Sequence, residues 1–218
     1  MKFTGAFFLL FTFILGTTSC RKFEQEKIVA GAEPYIPRNL YPVERLPTYF
    51  NRVVVLPNFY QDSSVSVLNY SDDTFSSELS KTGVFEVVPV PVSFCKIHFG
   101  KERISSVESL PDNFLKLLIE EFGANGVLFV DLHSFNPYRP ISIGVRSKLV
   151  DLKSGEFMWA IDETIDAGDA SVMVTADAYH RVKHVQAISK DTGSSTLQSP
   201  RLFCKFVAAT LFSTLPKR

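Results

Sequence analysis

The 218-residue chain is poor in cysteine, with 3, and in tryptophan, with 1, and it has no excess of either charge: 23 Lys and Arg balance 23 Asp and Glu. Without a basic excess, nucleic acid is not a partner that the sequence recommends. There is no Gly-x-Ser-x-Gly elbow, so a serine hydrolase would lack its usual nucleophile turn. There is no His-Glu-x-x-His pair and no Gly-rich phosphate loop, which removes the helix-borne zinc protease site and the backbone phosphate cradle. No internal repeat is visible. The apolar run from Phe7 to Leu15 is too short to cross a hydrocarbon core, which takes about 20 residues.

That short run has a different meaning in its setting. Lys2 gives a positive start, Phe7 to Leu15 gives the apolar stretch, Gly16-Thr17-Thr18-Ser19 gives small side chains, and Cys20 follows, ahead of Arg21-Lys22. This order is the layout of an export signal over residues 1–19. The position of Cys20 resembles the lipobox of bacterial lipoproteins, with Thr17 where that pattern usually has Leu. The resemblance implies that Cys20 is acylated and becomes the new N-terminus, so that membrane lipid is the first partner. Two or more acyl chains hold a protein firmly, where one gives only marginal binding. Arg21 stands where inner-membrane lipoproteins of the enteric type carry Asp, so the resemblance implies the outer membrane, facing the periplasm. Inner-membrane anchoring and the cell surface are the alternatives. The plainer alternative is an ordinary secreted protein with a cysteine near its cleavage site.

Residues 20–50 read as a tether, because Pro34, Pro37, Pro42 and Pro47 recur among charged residues without an apolar period. Residues 51–218 read as a single globular domain. The run Arg52 to Pro57 reads as a strand buried on both faces. Asp72-Asp73 are expected to cap a helix that ends at Lys81, with Gly83 after it. Val84 to Pro89 reads as a second strand, Pro111 to Gly123 as a helix, and Gly126 to Leu132 as a third buried strand. Ile141 to Leu152 and Glu156 to Asp162 form an antiparallel hairpin about Lys153-Ser154-Gly155. Helices follow from about Asp169 to Val185 and from Ser199-Pro200 through Leu211. The expected fold is therefore α/β of the α+β kind: a mixed sheet covered by helices, with a C-terminal antiparallel hairpin and two final helices.

Val53-Val54-Val55-Leu56-Pro57-Asn58-Phe59, then Leu79 to Val88 (LSKTGVFEVV), resembles the opening of the TolB amino-terminal-like domains. That group includes the curli secretion-channel lipoprotein and the lipoproteins that activate penicillin-binding proteins. The likeness continues through Phe122-Gly123-Ala124-Asn125-Gly126-Val127-Leu128 and ends in Leu149 to Glu156 (LVDLKSGE), covering roughly residues 50–165. It implies an envelope assembly, scaffolding or activator protein that works through an envelope protein partner or self-association. It brings no catalytic residue and no cofactor. Gly83 and Gly155 fall where a helix end and a turn need positive φ, which the fold alone explains.

Four constellations bear on chemistry. His180 and His184 are four apart on a helix, with Asp177 one turn earlier, but Arg181 and Lys183 between them oppose a metal, and a solvated face is the expectation. Asp131 and His133 point to one side of a strand, near Ser134 and Ser142, and are the pair that a periplasmic hydrolase would use. A polar strand end bonded to loop backbone is the preferred account of them. Asp162, Glu163, Asp166 and Asp169 cluster near Gly168 without the order of a calcium loop. Cys95 and Cys204 could bridge in an oxidising compartment, or be two buried free thiols. A secretion-channel subunit is a further alternative, although the hairpin carries Arg146, Lys148 and Asp151 where a lipid-facing strand would be apolar.

Overall fold

The computed structural model describes residues 31–61, 67–183 and 196–217. The signal segment, Cys20 and His184 lie outside them. Among the described residues, seven strands form one mixed sheet: β1 (Leu40–Pro42), β2 (Arg52–Val55), β3 (Phe59–Tyr60), β4 (Glu86–Pro89), β5 (Gly126–Asn136), β6 (Ser142–Asp151) and β7 (Phe157–Asp166). The order across the sheet is β1-β7-β6-β5-β2-β4, with β3 also lying on β5. β2 is parallel to both β4 and β5, whereas β5, β6, β7 and β1 run antiparallel in turn. Five helices among the described residues pack on it: α1 (Leu68–Lys81), α2 (Val92–Phe99), α3 (Phe114–Phe122), α4 (Ala170–Lys183) and α5 (Pro200–Phe212). This is the α+β mixed sheet that the apolar patterning predicts.

The alternation of side chains along β2 and β5 divides the interior in two. Val53, Val55, Leu128, Val130 and Leu132 enter a first core with Phe75 and Leu79 of α1, Val172 and Ala176 of α4, and Phe203, Phe206 and Phe212 of α5. Val54, Leu56, Val127 and Phe129 face the other way, into a second core with Cys95 of α2 and Phe114 and Leu118 of α3. The first core continues across the sheet under β6 and β7, through Val145, Leu149, Trp159 and Ile161. The Trp159 indole Nε1 donates to Thr214 Oγ1 at 3.0 Å, so its one polar atom is satisfied. The turn glycines behave as their sequence positions require, with φ of 67° at Gly83 and 75° at Gly155.

Three local expectations are corrected. Residues 35–50 pair and pack with the rest of the fold, a departure from the reading of the whole of residues 20–50 as a tether. Tyr35 N donates to Ser171 O, β1 pairs with β7, Leu46 is 4% exposed, and Phe50 is fully buried in the first core. Phe50 lies so close to Gly126 that a Cβ there would collide with its ring, which gives Gly126 a packing reason. Asp72 does not cap α1, which starts at Leu68; its carboxylate accepts from Asn58 N at 2.7 Å and from the Arg103 guanidinium at 2.8 and 3.0 Å. Helix α2 follows Pro91 directly, where the sequence suggests only the end of a strand.

The polar residues of the family-like segments serve the architecture. Asn125 Oδ1 accepts from Arg52 N at 3.1 Å and so pins the start of β2. Buried Asp151 accepts from Tyr49 Oη at 2.5 Å and from Lys153 N at 2.8 Å, joining the N-terminal segment to the hairpin turn.

Both outer strands end in a proline that faces outward. Val43 N donates to Met158 O and Asp162 N to Asn39 O, so positions 39, 41 and 43 address β7 while Leu40 and Pro42 address the open edge. Glu86 N donates to Asn51 O and Val90 N to Val55 O, which leaves Val87 and Pro89 on the opposite edge.

Candidate functional site on the polar face of the sheet

The second core stops at Phe129. Beyond it, the same face of the sheet becomes polar, as the register shows: Phe129, Lys148, Ala160 and Tyr41 lie in one row across β5, β6, β7 and β1, and Asp131, Arg146 and Asp162 lie in the next. Among the described residues, the second core takes no side chain from β7 or β1, and the loop after α2 crosses these rows at Ser106.

Asp131 is the anchor for that loop. Only 4% exposed, its carboxylate accepts from Ser105 Oγ at 2.9 Å, Ser106 Oγ at 2.8 Å and Ser106 N at 2.9 Å. Lys148 Nζ secures the same loop by donating to Ser106 O at 2.8 Å, and it lies 5.7 Å from the centre of the Phe157 ring. Partial burial, and then the Arg146 charge, lower the pKa of Lys148, against the opposing pull of Asp131 and Asp162. Arg103, from the same loop, closes on Asp72 and the Asn58 carbonyl. Behind it, the Asn58 side-chain Oδ1 and Nδ2 and the Ser71 Oγ are buried with no hydrogen-bond partner among the described residues.

His133 does not join Asp131. A β-bulge between Leu132 and Ser134 places His133 and Ser134 over Gly144, where any Cβ would collide with both. From there His133 Nε2 lies 3.2 Å from Asp162 Oδ1, and Arg146 closes on the other oxygen, with Nε at 2.7 Å and Nη2 at 2.6 Å. The hydrolase pair that the sequence offers is thus split between two tasks, Asp131 holding a loop and His133 meeting Asp162 beside its ion pair with Arg146. Asp162 could not be assigned its partners from the sequence, because the bulge that aims His133 at it has no sequence signal.

The acidic cluster around Asp162 is also divided. Glu163 faces the other side, accepting from Tyr35 Oη at 2.9 Å, Asn39 N at 2.8 Å and Arg38 N. Asp166 accepts from Gly168 N at 2.7 Å, and Asp169 from Ser171 N and Oγ at 2.8 Å, so each closes its own turn. Among the described residues, no group of three or more His, Cys, Asp or Glu is placed to hold a metal. Asp177 and His180 sit half-buried on α4. Cys95 and Cys204 are free and lie in different cores, on opposite faces of the sheet, so the structure does not bring them together as a disulfide. Burial pushes their thiols up, Cys95 to about 11 and Cys204 to about 12, which leaves them protonated and unreactive at neutral pH.

No protein-family model matches the chain, and no curated protein matches it either. Among solved structures it is similar to the PelC dodecamer from Paraburkholderia phytofirmans, at 13% identity over 82% of this chain and 98% of that one, with a TM-score of 0.48. It is also similar to the lipoprotein GNA1162 from Neisseria meningitidis, at 16% identity over 62% and 97%, with a TM-score of 0.45. The LpoB C-terminal domain from Escherichia coli is similar at 15% identity over 65% and 93%, with a TM-score of 0.37. Likenesses this distant assign neither family nor role.

Proposed function

We propose that this chain is a lipid-anchored envelope protein that works without catalysis, as an assembly, scaffolding or activator component at the periplasmic side of the outer membrane. The observation that carries the reading is the order of Lys2, the apolar run Phe7 to Leu15, the small residues Gly16 to Ser19, and then Cys20. The acyl chains on Cys20 hold the protein to the bilayer, and its domain presents surfaces to an envelope protein or to further copies of itself. The division of labour at Asp131 and His133 supports a binding role over the hydrolase alternative, because Asp131 is spent on Ser105 and Ser106, and Asp162, the carboxylate that His133 does meet, is already paired with Arg146. The charged outward row of β6 and β7 likewise favours a water-facing domain over a channel wall.

The tether that this reading needs is the segment before Tyr35, not the whole of residues 20–50. Cys20→Ala is the test. The variant is expected to be exported and folded but to leave the membrane fraction, while the wild-type protein yields an acylated Cys20 peptide by mass spectrometry. Membrane association that survives the substitution, with no acyl-Cys in the wild type, would overturn the anchor.

A further inference from the structure

The N-terminal segment enters the fold at the same end of the sheet as the tip of the β5–β6 hairpin. β5 and β7 both run antiparallel to β6, so Asn136, Ser142 and Asp166 lie side by side at that end. The turn that follows Asn136 passes over them, and a Cβ on Gly168 would meet Pro140 at 3.2 Å. Helix α4 begins just after Gly168, and Tyr35 N donates there to Ser171 O at 3.2 Å and to Thr175 Oγ1 at 2.7 Å. The segment that joins the domain to Cys20 thus arrives beside the hairpin tip.

The tip holds an aromatic ring out in solvent. Asn136 Oδ1 accepts from Tyr138 N at 3.1 Å, and Asn136 Nδ2 donates to Pro140 O at 2.9 Å, so one side chain ties the turn together. Tyr138 is 79% exposed. Arg139 donates to Gln198 Oε1 at 3.1 Å, which brings in the start of α5 and with it Leu202, 40% exposed. On the other flank Ile36, next to Tyr35, is 70% exposed. Single exposed apolar residues are ordinary, but three around the point where the chain arrives mark a surface that something covers.

We propose that this end of the domain faces the bilayer and that the Tyr138 ring rests among the lipid headgroups. The inference rests on the anchor proposed at Cys20 and adds to it the orientation of the domain. The 15 residues from Cys20 to Tyr35 span about 20 Å as a random coil and about 50 Å at full stretch. β5, with 11 residues, is about 36 Å long, so a coiled tether is shorter than the domain and keeps the entry end next to the membrane. A tyrosine suits that layer because its ring is apolar and its hydroxyl is polar. Charge near the tip is balanced, Arg139 and Arg201 against Asp166 and Asp169, so the contact is made by the ring and not by attraction to anionic headgroups.

The test uses residues 20–218 coupled through the Cys20 thiol to maleimide-bearing lipid in vesicles of phosphatidylethanolamine and phosphatidylglycerol. Cys95 and Cys204, buried and protonated, do not compete for the maleimide. Trp159 is the single tryptophan and is fully buried, so wild-type emission is the baseline against brominated lipid, which quenches the indoles it touches. Tyr138→Trp is expected to lose most of the emission that it adds, at low salt and in about 0.5 M salt alike. Ser154→Trp, in the turn at the opposite end of the sheet, is expected to lose none. Circular dichroism checks the fold of both variants. Because the coupling supplies the lipid chemically, the result does not depend on acylation in the cell, which the Cys20→Ala fractionation reads separately. The proposal is overturned if the indole at position 138 is quenched no more than the one at 154, or if salt abolishes the quenching. It is also overturned if emission at 138 responds only to the density of protein on the vesicle, which would assign this end to a second copy.

Discussion

Strand β5 carries two different histories of burial on its two faces. On one, Leu128, Val130 and Leu132 remain in the first core along their whole length, and aromatic residues from α1 and α5 close over them, with Phe75 and Phe212 edge to face at 5.9 Å. On the other, Val127 and Phe129 are covered by α2 and α3, but Asp131 meets serine hydroxyls and His133 meets a carboxylate. The first face is closed by side chains that water cannot replace. The second is closed halfway, and its remainder is ordered by ion pairs and one strapped loop. Stability should therefore concentrate on the first face, and adaptable recognition on the second, because hydration competes with polar contacts and not with packing.

That contrast can be broken by substitution. The largest effect is expected from Phe206→Ala in the first core, where the ring is fully buried against Phe203 and Tyr179. It should cost about 3–5 kcal/mol in urea unfolding, the usual scale for emptying such a site. A loss under about 1 kcal/mol would mean that this face is not the stabilising one. Asp131→Ala should cost less, about 2 kcal/mol, by leaving buried Ser105 Oγ and the Ser106 amide without their acceptor. Hydrogen exchange should then speed up at residues 101–108 and stay unchanged in α5; the same rate at Ser106 in both proteins would show that the carboxylate does not hold the strap. Arg146→Ala should be smallest, under about 1 kcal/mol, since the pair with Asp162 is about a third exposed on each side and screened by water. A cost above about 2 kcal/mol would make the polar face a part of the folding core and erase the distinction between the two faces.

The parts of the fold that the sequence discloses are those whose periodicity or end signals are local. Val53-Val54-Val55 announces a strand buried on both sides, Gly83 and Gly155 announce a helix end and a turn, and Ser199-Pro200 opens α5 with the Ser199 hydroxyl accepting from Leu202 N. What stays hidden depends on single residues meeting distant ones. Leu46 and Phe50 look like isolated apolar residues among prolines, yet they fill the first core because β1 carries them across β7. Helix α2 sits in a stretch that alternates Val with Pro before Phe94, and that alternation hides its start. At the site, the sequence anticipates that Asp131 accepts from loop backbone, but not its place, since Asp131 lies in the middle of β5, which runs on to Asn136. Its partners Ser105 and Ser106, and the bulge that redirects His133, were not legible either, since 25 or more residues separate donor from acceptor and no residue type encodes a bulge of this kind.

Pro42 and Pro89 have a consequence that reaches past the single molecule. Proteins held to a bilayer meet one another in two dimensions, at local concentrations far above those in free solution, and an unfinished sheet under such crowding is a template for runaway stacking. Each proline deletes an amide hydrogen where an incoming strand would need it, so neither edge offers a full ladder to a neighbour. Under the anchor proposed at Cys20, chains crowded on a membrane would remain separate particles until a specific surface, not bare backbone, joins them.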